Sequence, residues 1–233
     1  MNVAHQSYFF RRLRRILHDA GSLLNSTRML LRPARHFRSV LYHGWVYWLM
    51  GTEFKGLHLG AGNLRIADFL NLDASLFVDS DVIAGLRKLK LRQSSVDMIY
   101  ASHVFEHIRR KHTRRVLAEW HRVLKPGGKL YICVPDLEAL FKKYLQSIPQ
   151  YDTEQAQRSA DLACDIVYGG QTNRYDFHFY GYSFVTLKSL LAEIGFRQAA
   201  RFERVRLEFA PFRDAGYAAI DDSSVSLNIS AIK

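Results

Sequence analysis

Gly60, Gly62, Asp73, His103, Glu106, His107 and His178 are the residues of this 233-residue chain whose types and spacing suit chemistry. The apolar run Gly56-Leu57-His58-Leu59 enters Gly60-Ala61-Gly62, and Asp73 follows eleven residues after Gly62. A strand that runs into a glycine turn, followed by a strand that ends on an acid, is an arrangement for holding a nucleoside. The glycines let backbone approach the ligand, and the acid takes both ribose hydroxyls. The competing reading of Asp73 is a solvated loop aspartate. His103, Glu106 and His107 share one short segment. They read either as a polar wall of a pocket or as groups that tie down a helix by hydrogen bonds. His178, in Tyr175-Asp176-Phe177-His178-Phe179-Tyr180, reads as a substrate contact or a general base working near neutral pH, or as a loop histidine bonded to backbone. Gln171 and Tyr182 are read as orienting a substrate or a lid. Asp136 either bounds the reaction site, caps the helix that begins at Leu137, or does both.

The elements that must position these residues follow from periodicity. Strands are expected at Gly56–Leu59, Phe69–Asp73, Val96–Ala101 and Lys129–Val134, with a short one at Leu76–Val78. Thr113 is placed as the cap of a helix whose apolar face is Val116, Leu117, Trp120, Val123 and Leu124, stopped by Lys125-Pro126-Gly127-Gly128. Ser183 caps a helix with Phe184, Leu187, Leu190, Leu191 and Ile194 inward, and Gly195 ends it. Phe202–Phe209 and Val225–Ile232 alternate as strands. Strands alternating with helices imply an α/β domain with a mainly parallel sheet. Its ligand sits beyond the strands' carboxyl ends. Gly60, Asp73, Ser102-His103 and Pro135-Asp136 each end or follow a strand and belong on one rim. The long connection 137–180 is expected to roof the pocket.

The chain is 48% apolar, enough for one core with an appendage. Cys133 and Cys164 lie far apart without metal-ligand spacing. No metal and no disulfide framework is expected, and the cytoplasm is the expected compartment. Net charge is +11, and residues 1–56 hold +7 of it. Nucleic acid is therefore not the expected partner, because the domain itself is nearly balanced. Residues 1–50 form a separate basic helical arm. Phe9, Phe10, Leu13, Ile16 and Leu17 recur at helical spacing among Arg11, Arg12, Arg14 and Arg15. The apolar stretch Val40–Met50 is about half the ~20 residues that a membrane span needs. The arm either lies on an anionic membrane surface, at the periphery of the inner membrane, or packs on protein. A transit peptide is a third reading. Oligomeric state is left open.

Residues 57–136 resemble the class I S-adenosylmethionine-dependent methyltransferases. The likeness lies in Leu-His-Leu-Gly-Ala-Gly, Asn-Leu-Asp, Ser-Val-Asp-Met-Ile-Tyr-Ala-Ser-His-Val-Phe-Glu-His-Ile and Arg-Val-Leu-Lys-Pro-Gly-Gly-Lys-Leu, in that order. More narrowly, Tyr168-Gly169-Gly170-Gln171, His178 and Gly181-Tyr182 resemble bacterial methyltransferases associated with cell-surface polysaccharide genes. The resemblance implies a Rossmann-like fold with seven strands, the last antiparallel, and S-adenosylmethionine as cofactor. It implies that Gly60, Ala61 and Gly62 approach the methionine part and that Asp73 binds the ribose. Ser102 and His103 would sit under the sulfonium and amino-acid end. It also implies a small-molecule, glycan, nucleotide-sugar or lipid-linked acceptor, with His178 and His103 as candidate catalytic groups. The subgroup usually carries Asp-Leu where this chain has Gly85-Leu86. The missing acid would accept the adenine amino proton, which leaves the Leu86 backbone amide, with Asp79 and Asp81 as nearby replacements. Ala67-Asp68 replaces the usual Pro-Gly before strand two. Two other readings stand beside the enzyme: an inactive methyltransferase-like subunit and an RNA methyltransferase.

Overall fold

The computed structural model describes residues 54–75, 78, 80–147, 153–203, 219–220 and 223–233. The basic arm, Asp79 and most of the expected strand 202–209 lie outside the described residues, as does most of Leu76–Val78. Strands β1 (Gly56–Leu59), β2 (Phe69–Asp73), β3 (Val82–Ile83), β4 (Val96–Ser102) and β5 (Leu124–Pro135) alternate with loops and helix α1 (Arg110–Val123). Helices α2 (Leu137–Ser147), α3 (Glu154–Tyr168) and α4 (Phe184–Ile194) follow. Strand β6 (Arg197–Arg201), the small hairpin β7 (Ala219–Ile220) and β8 (Ser223–Ser224), and β9 (Ser226–Ile232) complete the order.

The main sheet has seven strands in the order β3-β2-β1-β4-β5-β9-β6. Strand β9 is antiparallel to both β5 and β6, and the pairs from β3 to β5 are parallel. The fold is thus Rossmann-like α/β, mostly parallel with an antiparallel last strand. Near-continuous apolar strands are what a doubly covered sheet requires. Leu57, Leu59, Leu70, Leu72, Ile99, Leu130 and Ile132 are all buried. Each contributes about 1.5–3 kcal/mol by leaving water.

Two polar residues are buried in the same strands, and each satisfies the other. His58 Nδ1 lies 3.0 Å from Asn71 Oδ1. Asn71 Oδ1 also accepts Ile66 N–H, and its amide donates to the Phe69 and Ile66 carbonyls. This knot shapes the loop between β1 and β2. Asp68 stands there at φ 61, where the usual Pro-Gly would supply the glycine.

Several elements differ from the sequence expectation: β3 is Val82–Ile83, and Leu124, expected on the helix face, opens β5. Helix α1 begins three residues before Thr113, with Arg109 as its cap, and Thr113 Oγ1 donates back to the Arg110 carbonyl. Thr113 is thus a buried first-turn residue that bonds to its own turn. Strand β6, Arg197–Arg201, is one the sequence reading did not expect, and its residues are mainly exposed. As an edge strand it needs no apolar alternation; its backbone is held by β9. The Ser183 cap is realised as a capping box with Thr186, and Gly195 closes α4 at φ 109.

Candidate active site

The glycine turn and the acid meet directly. Gly62 N–H donates to Asp73 Oδ2 at 2.9 Å, and Ser75 N–H donates to Oδ1 at 2.7 Å. Ala61 N–H donates to the Leu72 carbonyl, which fixes the turn against β2. Gly60 at φ 68 is required twice over. The conformation favours glycine, and a Cβ there would stand 2.4 Å from Val104 Cγ2. A Cβ on Gly62 would meet no atom within 4 Å, so open space lies beside the turn. The glycine turn, Asp73 and the segment after β4 therefore share the rim.

Ser102 ends β4, buried, and among the described residues its hydroxyl has no hydrogen-bond partner. His103 follows at φ 47, its N–H held by the Cys133 carbonyl. A non-glycine residue in this region, wedged at a rim, is the kind of local strain that clusters at functional sites. His103 Nε2 lies 2.9 Å from Ser226 Oγ, and Nδ1 lies 3.3 Å from Glu106 Oε1.

Glu106 is the centre of a cluster. Its side chain is 1% exposed, in a turn of 3₁₀ helix (Phe105–His107). His178 Nε2 lies 3.9 Å from Glu106 Oε1, and the His107 and His178 rings pack edge to face at 4.6 Å. Burial raises the Glu106 carboxyl, but the adjoining His103 and the His107 charge outweigh it and hold the group below its ordinary value. Burial lowers His178 below the ordinary imidazole value, and Glu106 only partly restores it. The loop after α3 delivers His178. His178 N–H bonds to the Tyr168 carbonyl, and Phe179 N–H bonds to the Glu106 carbonyl. Tyr175 Oη reaches the Ala74 carbonyl at 3.4 Å, which brings this loop over the end of β2.

The remaining candidates take different places. Tyr182 is 1% exposed and stacks on Phe105, so it is a core residue. Its hydroxyl is buried without a hydrogen-bond partner among the described residues, and burial, then Glu106, pushes it well up. Gln171 is exposed at φ 53 in the turn closed by Asp176, outside the histidine cluster. Asp136 caps α2 through Glu138 N–H and receives Arg201 Nη1 at 2.9 Å. Leu86 is positioned by α1: Trp120 Nε1–H donates to its carbonyl at 3.1 Å. Glu119 and Arg122 clamp the Leu89 and Leu91 backbone beyond it. Gly85 faces open space. Asp81 is held by Arg65 and by the Asn71 backbone and amide, which commits both of its oxygens. The gathering of Glu106, His107 and His178 was not legible as one cluster. The sequence put Glu106 and His107 on one short segment, but nothing in it brought His178 to them.

Residues 47–132 match a family model described as a methyltransferase domain. No curated protein matches the chain. Among solved structures, the chain is similar to a SAM-dependent methyltransferase from Archaeoglobus fulgidus, at 13% identity and TM-score 0.46, with 85% of this chain and 94% of that chain covered. A possible histamine N-methyltransferase from Thermotoga maritima gives 14% and 0.44, covering 93% and 99%. The 1,6-didemethyltoxoflavin-N1-methyltransferase of Burkholderia thailandensis gives 15% and 0.46, covering 100% and 91%.

Proposed function

We propose, for a chain whose residues 47–132 match a methyltransferase-domain family model, that it transfers a methyl group from S-adenosylmethionine to a hydroxyl of a glycan, nucleotide-sugar or lipid-linked acceptor. The observation that carries the cofactor reading is the 2.9 Å link from Gly62 N–H to Asp73 Oδ2, which brings the glycine turn and the acid into one ligand-sized corner. The residues fit the group: open space beside Gly62 and an unpartnered Ser102 hydroxyl lie along the same rim. Gly60, Ala61 and Gly62 offer backbone to its methionine part, Asp73 holds the ribose hydroxyls, and the Leu86 amide faces the adenine. Ser102 and His103 support the amino-acid end. When bound, S-adenosylmethionine supplies a methyl group on a sulfonium, whose leaving group is a neutral thioether.

The chain's own task is then positioning and proton removal. His178 donates Nδ1–H to the Ile166 carbonyl at 2.7 Å, which leaves Nε2 with its lone pair to take the acceptor's proton. Its lowered pKa keeps it unprotonated at neutral pH. Gln171 and Asp136 are further acceptor contacts on this reading, and Tyr182 positions the wall from beneath. The acceptor class rests on the resemblance to polysaccharide-linked methyltransferases. It is tested by supplying methyl-labelled S-adenosylmethionine with nucleotide-sugar and lipid-linked glycan fractions. Alkali-stable label in those fractions, as expected of a methyl ether, supports it; label confined to RNA or protein refutes it. On the same reading, residues 1–50 hold the protein at an anionic membrane surface. Full-length protein should then sediment with anionic liposomes, and a chain lacking the arm should not.

Gly85 favours a second reading, a subunit with weakened cofactor binding. The acid is missing, the space is open, and Asp81 is already committed to Arg65 and Asn71. Restoring the acid as Gly85→Asp should tighten S-adenosylhomocysteine about tenfold, the effect of ~1.4 kcal/mol. Unchanged affinity in calorimetry removes this reading.

A further inference from the structure

We infer that Glu106, His107 and His178 form a binding site for a divalent transition-metal ion of the Zn²⁺ type, with open coordination positions that take an oxygen of the acceptor. One ligand atom from each of the three residues can be chosen so that all lie within 4.8 Å of one another. Donors about 2.0–2.2 Å from one tetrahedral ion stand ~3.3–3.6 Å apart. The Glu106–His178 pair, at 3.9 Å, is within about half an ångström of that spacing. Closure of all three ligands onto one ion needs side-chain shifts of up to about an ångström.

Three independent features point to an ion. The first is the carboxylate. Glu106 is 1% exposed, and among the described residues neither of its oxygens has a hydrogen bond. His103 Nδ1 stands 3.3 Å from Oε1 and is its nearest charged neighbour. Buried carboxylates are normally paired in good geometry or coordinate a metal. The second is the histidine tautomers. Metal-bound histidines usually donate their other ring nitrogen to a carbonyl or carboxylate. Both histidines do so here: His178 Nδ1 lies 2.7 Å from the Ile166 carbonyl, and His107 Nδ1 lies 3.0 Å from the Phe177 carbonyl. Each is left with an Nε2 lone pair, and that of His178 is directed at Glu106. The third is the ligand number. Two imidazoles and one carboxylate suit zinc and its neighbours, and three protein ligands mark a site that keeps a position open. Of the three, His107 also lines a cavity of ≈ 280 Å³ with Leu86 and Phe179.

The use of this ion in methyl transfer rests on the function proposed above; the site itself does not. An acceptor hydroxyl bound in the open position would be fixed and made more acidic. Selection would then favour acceptors with an exposed hydroxyl or vicinal diol; His178 Nε2 would be a ligand and no longer the base, and the proton of the more acidic bound hydroxyl would pass to solvent water.

Full-length protein, stripped with chelator and dialysed, is titrated with Co²⁺ by visible absorption and with Zn²⁺ by calorimetry. The expected result is one equivalent bound, with intense cobalt bands from a low-symmetry nitrogen-oxygen site. The isosteric Glu106→Gln and the His178→Ala variants should weaken it by at least about tenfold. His121→Gln, at a histidine that packs instead on Phe196, should bind like wild type. If His178→Ala does not fold, Glu106→Gln alone decides. Absence of binding to wild type, or equal binding by Glu106→Gln, overturns the site. S-adenosylhomocysteine titrations run in parallel keep the two ideas apart. Cofactor binding without metal binding refutes this inference alone, and metal binding without cofactor binding refutes the methyltransferase reading alone.

Discussion

At Gly60 and Gly62 the same residue type serves two different needs. Both adopt positive φ, but only Gly60 has a neighbour, Val104, where a side chain would stand. Gly62→Ala should cost about 1 kcal/mol from backbone strain alone. Gly60→Ala should cost at least ~2 kcal/mol, because a clash is added to the strain. Urea denaturation of the ligand-free proteins measures both, and equal losses would contradict the packing at Val104. The glycine turn and Asp73 were legible in the sequence because their relation is local: eleven residues and one turn. The surroundings of Glu106 were not. His178 is presented by a loop, and loops carry no periodicity from which a three-dimensional neighbour can be read. Tyr182, read from the sequence as orienting a substrate or a lid, stacks its ring on Phe105 in the core.

The elements bring these residues together and hold them. Helix α1 acts on the rim at a distance. Glu119 accepts Leu89 N–H and pairs with Arg122, which in turn donates to the Leu89 and Leu91 carbonyls, while Trp120 holds Leu86. Glu119→Ala should therefore lower stability by about 1–3 kcal/mol and weaken S-adenosylhomocysteine without touching it. A variant with lowered Tm and unchanged affinity would uncouple α1 from the rim. The end of α1 also carries a pH dependence. Burial, then the Lys233 charge, lowers His121 below its ordinary value of 6.5, so the folded state favours the neutral ring. That contribution is present above pH 6.5 and is lost as pH falls through the lowered folded value. Tm of the wild type should fall between about pH 7 and 5, and His121→Gln should fall less steeply. Parallel slopes would remove His121 as the cause. Strand positions were legible wherever a strand is buried on both faces, as in β1, β2, β4 and β5. Strand β6 was not, because Arg-Gln-Ala-Ala-Arg is an edge whose pairing with β9 is a backbone matter.

For the whole molecule, the sheet order and the antiparallel β9 place the ends of β1, β2, β4 and β5 on one rim, and the loop after α3 reaches it through Tyr175 and His178. The common rim could be anticipated because each motif ends or follows a strand of a mainly parallel sheet; the strand order itself was not read from the sequence. Among the described residues, no helix is long and apolar enough to cross a membrane. Of the net charge of +11, residues 1–56 hold +7 and residues 57–233 hold +4. The account as a whole depends on the Gly62–Asp73 corner being a nucleoside site. Calorimetric titration of full-length wild type with S-adenosylhomocysteine, beside Asp73→Ala, tests it most directly. The account predicts saturable micromolar binding to the wild type, weakened by at least about tenfold in the variant. No binding to well-folded wild type, or equal binding by Asp73→Ala, would contradict it.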